Sequence, residues 1–162
     1  MSTSALLPDH AWIAARIPHH GTMCLLDAVL QWDADSIVCR ASSHTAVDHP
    51  LRAEGTLGVA NGIEYAAQAM AVHGALLAGS DSAPAAGYLT SVRDVRWNVP
   101  RLDTQAPELR IQARRLSGDS NTILYSFQVE AAGQTVLSGR ASVMLSAAST
   151  AAAQRAHPDP SS

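Results

Sequence analysis

Residues Asn61 to Gly79, NGIEYAAQAMAVHGALLAG, constrain the fold more than any other stretch of this chain. They read as one helix, apolar or small on nearly every face, with Gly79 as a natural C-cap. Glu64 is the only charged residue between Glu54 and Asp81. A helix of this kind must be covered on most sides. A membrane span is disfavoured, because a stretch of about 18 residues made mostly of Ala and Gly, with an acid, a Gln and a His inside, suits a buried soluble helix better.

The flanking sequence supplies strands to cover it. MCLLDAVLQWD (23–33) reads as one strand and DSIVCRASS (35–43) as its alternating partner. Residues 44–60 contain Pro and Gly without periodicity and form a loop running into the helix. After a flexible link at 80–87 come four β-like runs, YLTSVRDVRWNVP, ELRIQARRLSG, NTILYSFQVEA and QTVLSGRASVMLS. Gly118-Asp119-Ser120-Asn121 and Ala132-Gly133-Gln134 have hairpin-turn chemistry. Two strands, one long helix and a four-strand antiparallel meander suggest a curved sheet wrapped around the helix, the α+β hotdog fold. Edge strands of such sheets are usually managed by pairing two sheets into a dimer. We expect a leader at 1–16 with a short helix around His10 to Arg16, one domain at 17–146, and a disordered Ala/Ser/Pro-rich tail at 147–162.

Composition narrows the function class. Of 162 residues, 47% are apolar, enough for a packed core, and the net charge of −3 argues against a dedicated nucleic-acid binder. Cys24 and Cys39 lack metal-ligand spacing and read as reduced core residues of a cytoplasmic protein. The N-terminus has neither a basic n-region nor a long apolar run, so no signal peptide is expected. All eleven basic residues are Arg, and six of them, Arg93, Arg96, Arg101, Arg110, Arg114 and Arg115, face only Asp94, Asp103 and Glu108 in that stretch. Such a region can steer an acidic partner, or simply form a solvated strand face.

Glu64 and Gln68 are four residues apart and share a helix face. The helix dipole favours an acid in the first turn, whereas burial penalises its charge and can raise a carboxyl pKa, suiting it to general acid work. His49 lies nine residues before Gly58, which precedes the helix and can bring a backbone N–H close to a ligand carbonyl. A His base, an acid and a polarised carbonyl are the parts needed to remove an α proton and expel a β hydroxyl.

The order IPHHGTMCLLDAVLQWD, DHPLRAEGTLG, GIEYAAQAM resembles the FabZ/FabA superfamily of 3-hydroxyacyl-[acyl carrier protein] dehydratases over roughly residues 17–145. GIEYAAQAMAVHGALL followed by GYLTSVRDVR is most similar to the dehydratases of aryl polyene and xanthomonadin-type pigment clusters. The resemblance implies His49 as the catalytic base, Glu64 as the acid, Gly58 as the oxyanion donor and Gln68 as the support of the acid. In the family, the His and the acid of one site come from different subunits. His19, in the I-P-H segment lining the fold near the site, is the fallback histidine; His20 and His44 are weaker, and His73 reads as a packed or end-of-helix His. Asp48, Pro50 and Leu51 depart from the family's G-H-F-P, and Glu64 lies one residue farther from Gly58 than the family spacing. The implied activity is dehydration of 3-hydroxyacyl-[acyl carrier protein] to the trans-2-enoyl product, in aryl polyene, pigment or fatty-acid-type biosynthesis. Neither metal nor cofactor is expected beyond the phosphopantetheine arm delivered by the acyl carrier protein. The partners implied are that carrier and a second hotdog subunit, in a homodimer or with a paralogue. A hotdog thioesterase and a catalytically degenerate subunit of a heterodimer are the alternatives.

Overall fold

The computed structural model describes residues 6–79 and 87–145. The expected link at 80–87 lies outside these residues apart from Gly87, and the tail at 147–162 lies wholly outside them. The elements run α1 (His10–Ala14), β1 (Ala28–Trp32), β2 (Ser36–Ala41), α2 (Gly62–Ala78), β3 (Gly87–Trp97), β4 (Leu109–Gly118), β5 (Thr122–Ala131) and β6 (Gln134–Leu145). The six strands form one antiparallel sheet with α2 packed on one face against β2, β4 and β5. This is the hotdog architecture the sequence suggested.

The inner face follows the period-2 pattern of the strands. Ile37, Cys39 and Ala41 of β2, Leu109, Ile111 and Ala113 of β4, and alternate residues of β5 are buried. They meet Tyr65, Ala66, Ala69 and Val72 of α2, which are fully buried. Small side chains bring the helix close to the sheet. A Cβ on Gly62 would stand 2.6 Å from Leu137 Cδ2, so a larger residue there would push the start of α2 off the sheet. Cys24 and Cys39 are buried free thiols. Among the described residues, no helix is long and apolar enough to cross a membrane.

The strand order is β1-β2-β4-β5-β6-β3, which corrects the expected four-strand meander. Only β4, β5 and β6 follow one another in space. Their links are tight: Asp119 Oδ1 accepts the N–H groups of Asn121 and Thr122 at 2.7 and 2.9 Å, and Ala132 and Gly133 both take left-handed φ of 51° and 78°. β3 follows α2 and pairs with β6 at the opposite edge, because the helix carries the chain across the sheet between β2 and β3. Outward of β6, β3 is a largely exposed edge strand of 11 residues, with Tyr88 and Trp97 about three-fifths exposed.

A second correction concerns residues 23–33. Only Ala28–Trp32 is strand, and Gly21–Met23 is a 3-10 turn. The Leu25 N–H goes to the Gln68 side chain at 2.9 Å instead of to a neighbouring strand. The leader is tied to the domain. Asp9 Oδ1 caps α1 through Trp12 N, Val29 N–H donates to Pro8 O at 2.9 Å, and Ile13 and Ile17 are buried in the core.

Candidate active site

α2 is not covered all round. Glu64, Ala67, Ala71, Gly74 and Ala75, spaced three and four residues apart, form a half-exposed stripe, while Tyr65, Gln68, Ala69, Val72 and His73 face inward. Glu64 sits on that stripe with 32% of its side chain exposed. The helix therefore keeps its acid at the margin of the packed face, within reach of solvent or a ligand, rather than within it.

Three of the expected residues converge there. His19 Nε2 is 2.9 Å from Glu64 Oε1. Gln68 Nε2 lies 3.4 Å from the same oxygen. Gln68 is fully buried, donates from Nε2 to Met23 O at 2.7 Å and accepts from Leu25 N–H at 2.9 Å. One Gln thus fixes the segment that follows His19 and touches the acid. His19 Nδ1 is buried with no hydrogen-bond partner among the described residues.

Gly58 caps the 3-10 turn Val59–Asn61 that leads into α2. Val59 N–H donates to Pro100 O at 3.1 Å and Leu102 N–H to Leu57 O at 2.8 Å, so the bridge to Arg101 leaves the Gly58 N–H without a partner among the described residues. At φ −64° Gly58 occupies ordinary backbone space, and a Cβ would meet only Asn61 Nδ2 at 3.8 Å. Neither conformation nor packing requires Gly here.

His49 is held apart from Glu64 within the chain. It is 5% exposed, and Leu51 N–H donates to its Nδ1 at 3.1 Å, which places the proton on Nε2. That N–H donates to Tyr65 O–H at 3.0 Å, Tyr65 donates to Ser43 Oγ at 2.7 Å, and Ser43 donates to Leu25 O at 2.9 Å. Both ring nitrogens are engaged inside the subunit. Burial, reinforced by Arg52 and His44, holds the His49 pKa below the usual imidazole value. Tyr65, adjacent to Glu64, points about 100° away round the helix. Sequence reasoning passed over Tyr65 and Ser43; a single buried-helix Tyr was the available signal for a polar partner. A cavity of about 290 Å³ lies beside this chain of bonds, lined by His49, Ser43, Cys24, His10 and Asp27 among others.

Comparison with known proteins gives the family and the fold. The family model of the ApeP-like dehydratases, described as ApeP dehydratase, matches residues 11–154. The chain belongs to the ApeP-like dehydratase family. Dehydration of the aryl polyene type, suggested by the sequence resemblance, is thus the reading that stands. Solved structures share the fold. The dehydratase heterocomplex ApeI:P from Xenorhabdus doucetiae aligns at a TM-score of 0.71 with 24% identity, over 90% of this chain and 97% of that one. A mutant thioesterase from Pseudomonas aeruginosa aligns at 0.59 with 14% identity, over 85% and 94%. AziG of S. sahachiroi aligns at 0.54 with 15% identity, over 72% and 88%. No curated protein matches the sequence.

The remaining polar residues of this ApeP-like chain have structural partners or lie elsewhere. His73 is fully buried, donating from Nε2 to Asp33 O and accepting from Tyr125 O–H, both at 2.8 Å. His44 is fully buried and donates to Ala106 O at 2.7 Å. Arg101 pairs with Asp103, which also accepts from Leu57 N–H at 3.1 Å, and the guanidinium holds the Asp103 carboxyl well below the usual range. Arg115 stands opposite buried Tyr125. The basic region is therefore redrawn. Arg93, Arg96, Arg110 and Arg114 join Arg40 and Arg140 on the face of the sheet away from α2, around a groove of about 390 Å³ lined by Arg96, Arg114, Arg140 and Asp94. Arg40 faces Arg110 and Arg93 faces Arg140 across adjacent strands, like-charge pairs that cost stability.

Proposed function

We propose that this chain is one half of a two-subunit 3-hydroxyacyl-[acyl carrier protein] dehydratase and that its half supplies the acid. The supporting observation is the Glu64 carboxyl, held through Oε1 by His19 and Gln68 with Oε2 free of partners among the described residues. In the proposed step, a histidine across the interface takes the α proton and the electron pair forms the C2–C3 double bond. The C3–O bond breaks, and Glu64 Oε2 delivers its proton to the departing hydroxyl, giving water and the trans-2-enoyl thioester. The Gly58 N–H stabilises the charge that gathers on the thioester oxygen. The phosphopantetheine arm would come with the carrier, and no other cofactor enters the step. The six-Arg sheet face offers cationic surface to an acidic carrier.

Two sources of the base are distinguished. In a homodimer it is His49 of the second copy. In a heterodimer it belongs to a paralogous hotdog subunit, and His49 of this chain is structural. The engagement of both His49 nitrogens inside the subunit favours the heterodimer, and a solved heterocomplex of similar fold agrees with it. The exposed β3 edge and the open stripe of α2 are surfaces such a partner would cover.

The test is mass spectrometry of a 3-hydroxyacyl-loaded carrier protein, with the chain alone and with a paralogue from its own genome. Loss of water only with the paralogue, reduced on the order of a hundredfold or more by Glu64→Gln but little by His49→Ala, is the expected result. Dehydration by the chain alone that His49→Ala abolishes would establish the homodimer. Release of free acid would replace the dehydratase with a thioesterase.

A further inference from the structure

We infer that His19 is the positioning residue of Glu64: a neutral imidazole that donates from Nε2 to Oε1 and so fixes which carboxyl oxygen is left to face substrate. The inference deepens the proposed function and rests on it for the role of Glu64.

The proton assignment follows from geometry. His19 Nε2 lies 2.9 Å from Glu64 Oε1, and Nδ1 is buried without a partner. A proton on Nδ1 would bury an unsatisfied donor and turn the Nε2 lone pair toward a carboxyl oxygen, two unfavourable contacts at once. The proton on Nε2 removes both. Gln68 Nε2 approaches the same oxygen at 3.4 Å, so among the described residues two donors converge on Oε1 and none on Oε2. They set the carboxyl plane. They also stabilise the charge that Glu64 acquires as its Oε2 proton leaves, from groups already in place before the reaction.

His19 is itself fixed at both sides. Ile17, two residues before it, is buried in the core. After it, Met23 O and Leu25 N–H are both bound by Gln68, while Met23 N–H donates to His20 O at 3.2 Å. Residues 17–25 thus form a strap tied to the helix by the side chain that also touches Glu64. The irregular backbone where a strand was expected has this use: it delivers an imidazole to the acid.

The test uses the active assembly with His19→Leu, His19→Gln and Glu64→Gln. Misplacing a reacting group by about 1 Å can cost ~10²-fold in rate, so His19→Leu should lower kcat on the order of a hundredfold with KM nearly unchanged. His19→Gln, which restores an N–H donor of similar reach, should recover most of that loss. Unchanged kcat in His19→Leu, or equal losses in both variants, would overturn the inference. Nitrogen-15 NMR of the imidazoles reads it independently of turnover. His19 should show the neutral Nε2–H form with a resonance that moves in Glu64→Gln, and an Nδ1–H form or an unmoved resonance would overturn it. If no loaded carrier loses water, the dehydratase role falls and the NMR result still decides the positioning.

Discussion

Tyr65→Phe tests the bond chain that keeps His49 inside its subunit. The substitution preserves the buried ring and removes one hydroxyl. Tyr65 is fully buried and His49 is 5% exposed, so water has little access to replace it. The His49 Nε2–H then has no acceptor. The ring cannot escape by moving its proton, because Nδ1 already accepts from Leu51 N–H. Ser43 keeps its own bond to Leu25 O, so a single orphaned donor carries most of the cost. An unsatisfied buried donor costs about 1–3 kcal/mol, a sizeable part of a total stability of roughly 5–15 kcal/mol. For a domain of this size, about 2 kcal/mol lowers Tm by roughly 4–8 °C. Urea denaturation at fixed protein concentration should show a lower midpoint with an unchanged m-value. Replacing His49 by Phe in the same chain removes the orphan, so the double variant should lose less than the sum of the singles by at least about 0.5 kcal/mol. A Tyr65→Phe protein within about 0.5 kcal/mol of wild type would refute the reasoning, since surface-like neutrality is incompatible with an orphaned buried imidazole N–H.

Gln68→Ala should be costly as well, because Leu25 N–H and Met23 O lose their partners inside the fold; about 2 kcal/mol or more is expected from two orphaned groups, read by the same denaturation, together with weakened dehydration as the His19 strap loosens. Acid should unfold the protein earlier than its carboxylates alone would require. Burial is the first cause holding the pKa values of His44, His49 and His73 below the imidazole norm, so the folded state favours their neutral forms. Their contribution is present above the unfolded-state value of about 6.5 and is lost as pH falls below it, because the unfolded chain takes up the protons first. Three such groups give a slope of at most about 4 kcal/mol per pH unit. Stability measured from pH 7.5 to 5 should fall through this window, and a flat profile would count against the buried neutral imidazoles.

The sequence by itself determined what depends on neighbours in the chain. The unbroken run of small and apolar residues marked α2 to within one residue of its start, and Gly79, with φ 86°, ended it as its freedom from a Cβ penalty allows. Turn chemistry at Asp119 and at Ala132-Gly133 joined β4, β5 and β6 in the right order, because a tight turn leaves its two strands nowhere else to pair. The spacing of Glu64 and Gln68 put them on one side of the helix. Tertiary structure decided the rest. The place of β3 depends on where α2 delivers the chain, and no local signal records that it pairs with β6. Whether Glu64 was buried depended on which helix face the sheet left open. His19 met Glu64, 45 positions along the chain, only because Gln68 drew residues 23–25 off the sheet and onto the helix. The Arg residues sorted by strand register, so Arg40 and Arg140 joined a face that a sequence window assigned to Arg101 and Arg115. In each case the chain encodes which groups need a hydrogen bond or a dry surface, but only packing chooses the partner, since that choice is settled among groups far apart in sequence that compete for the same space.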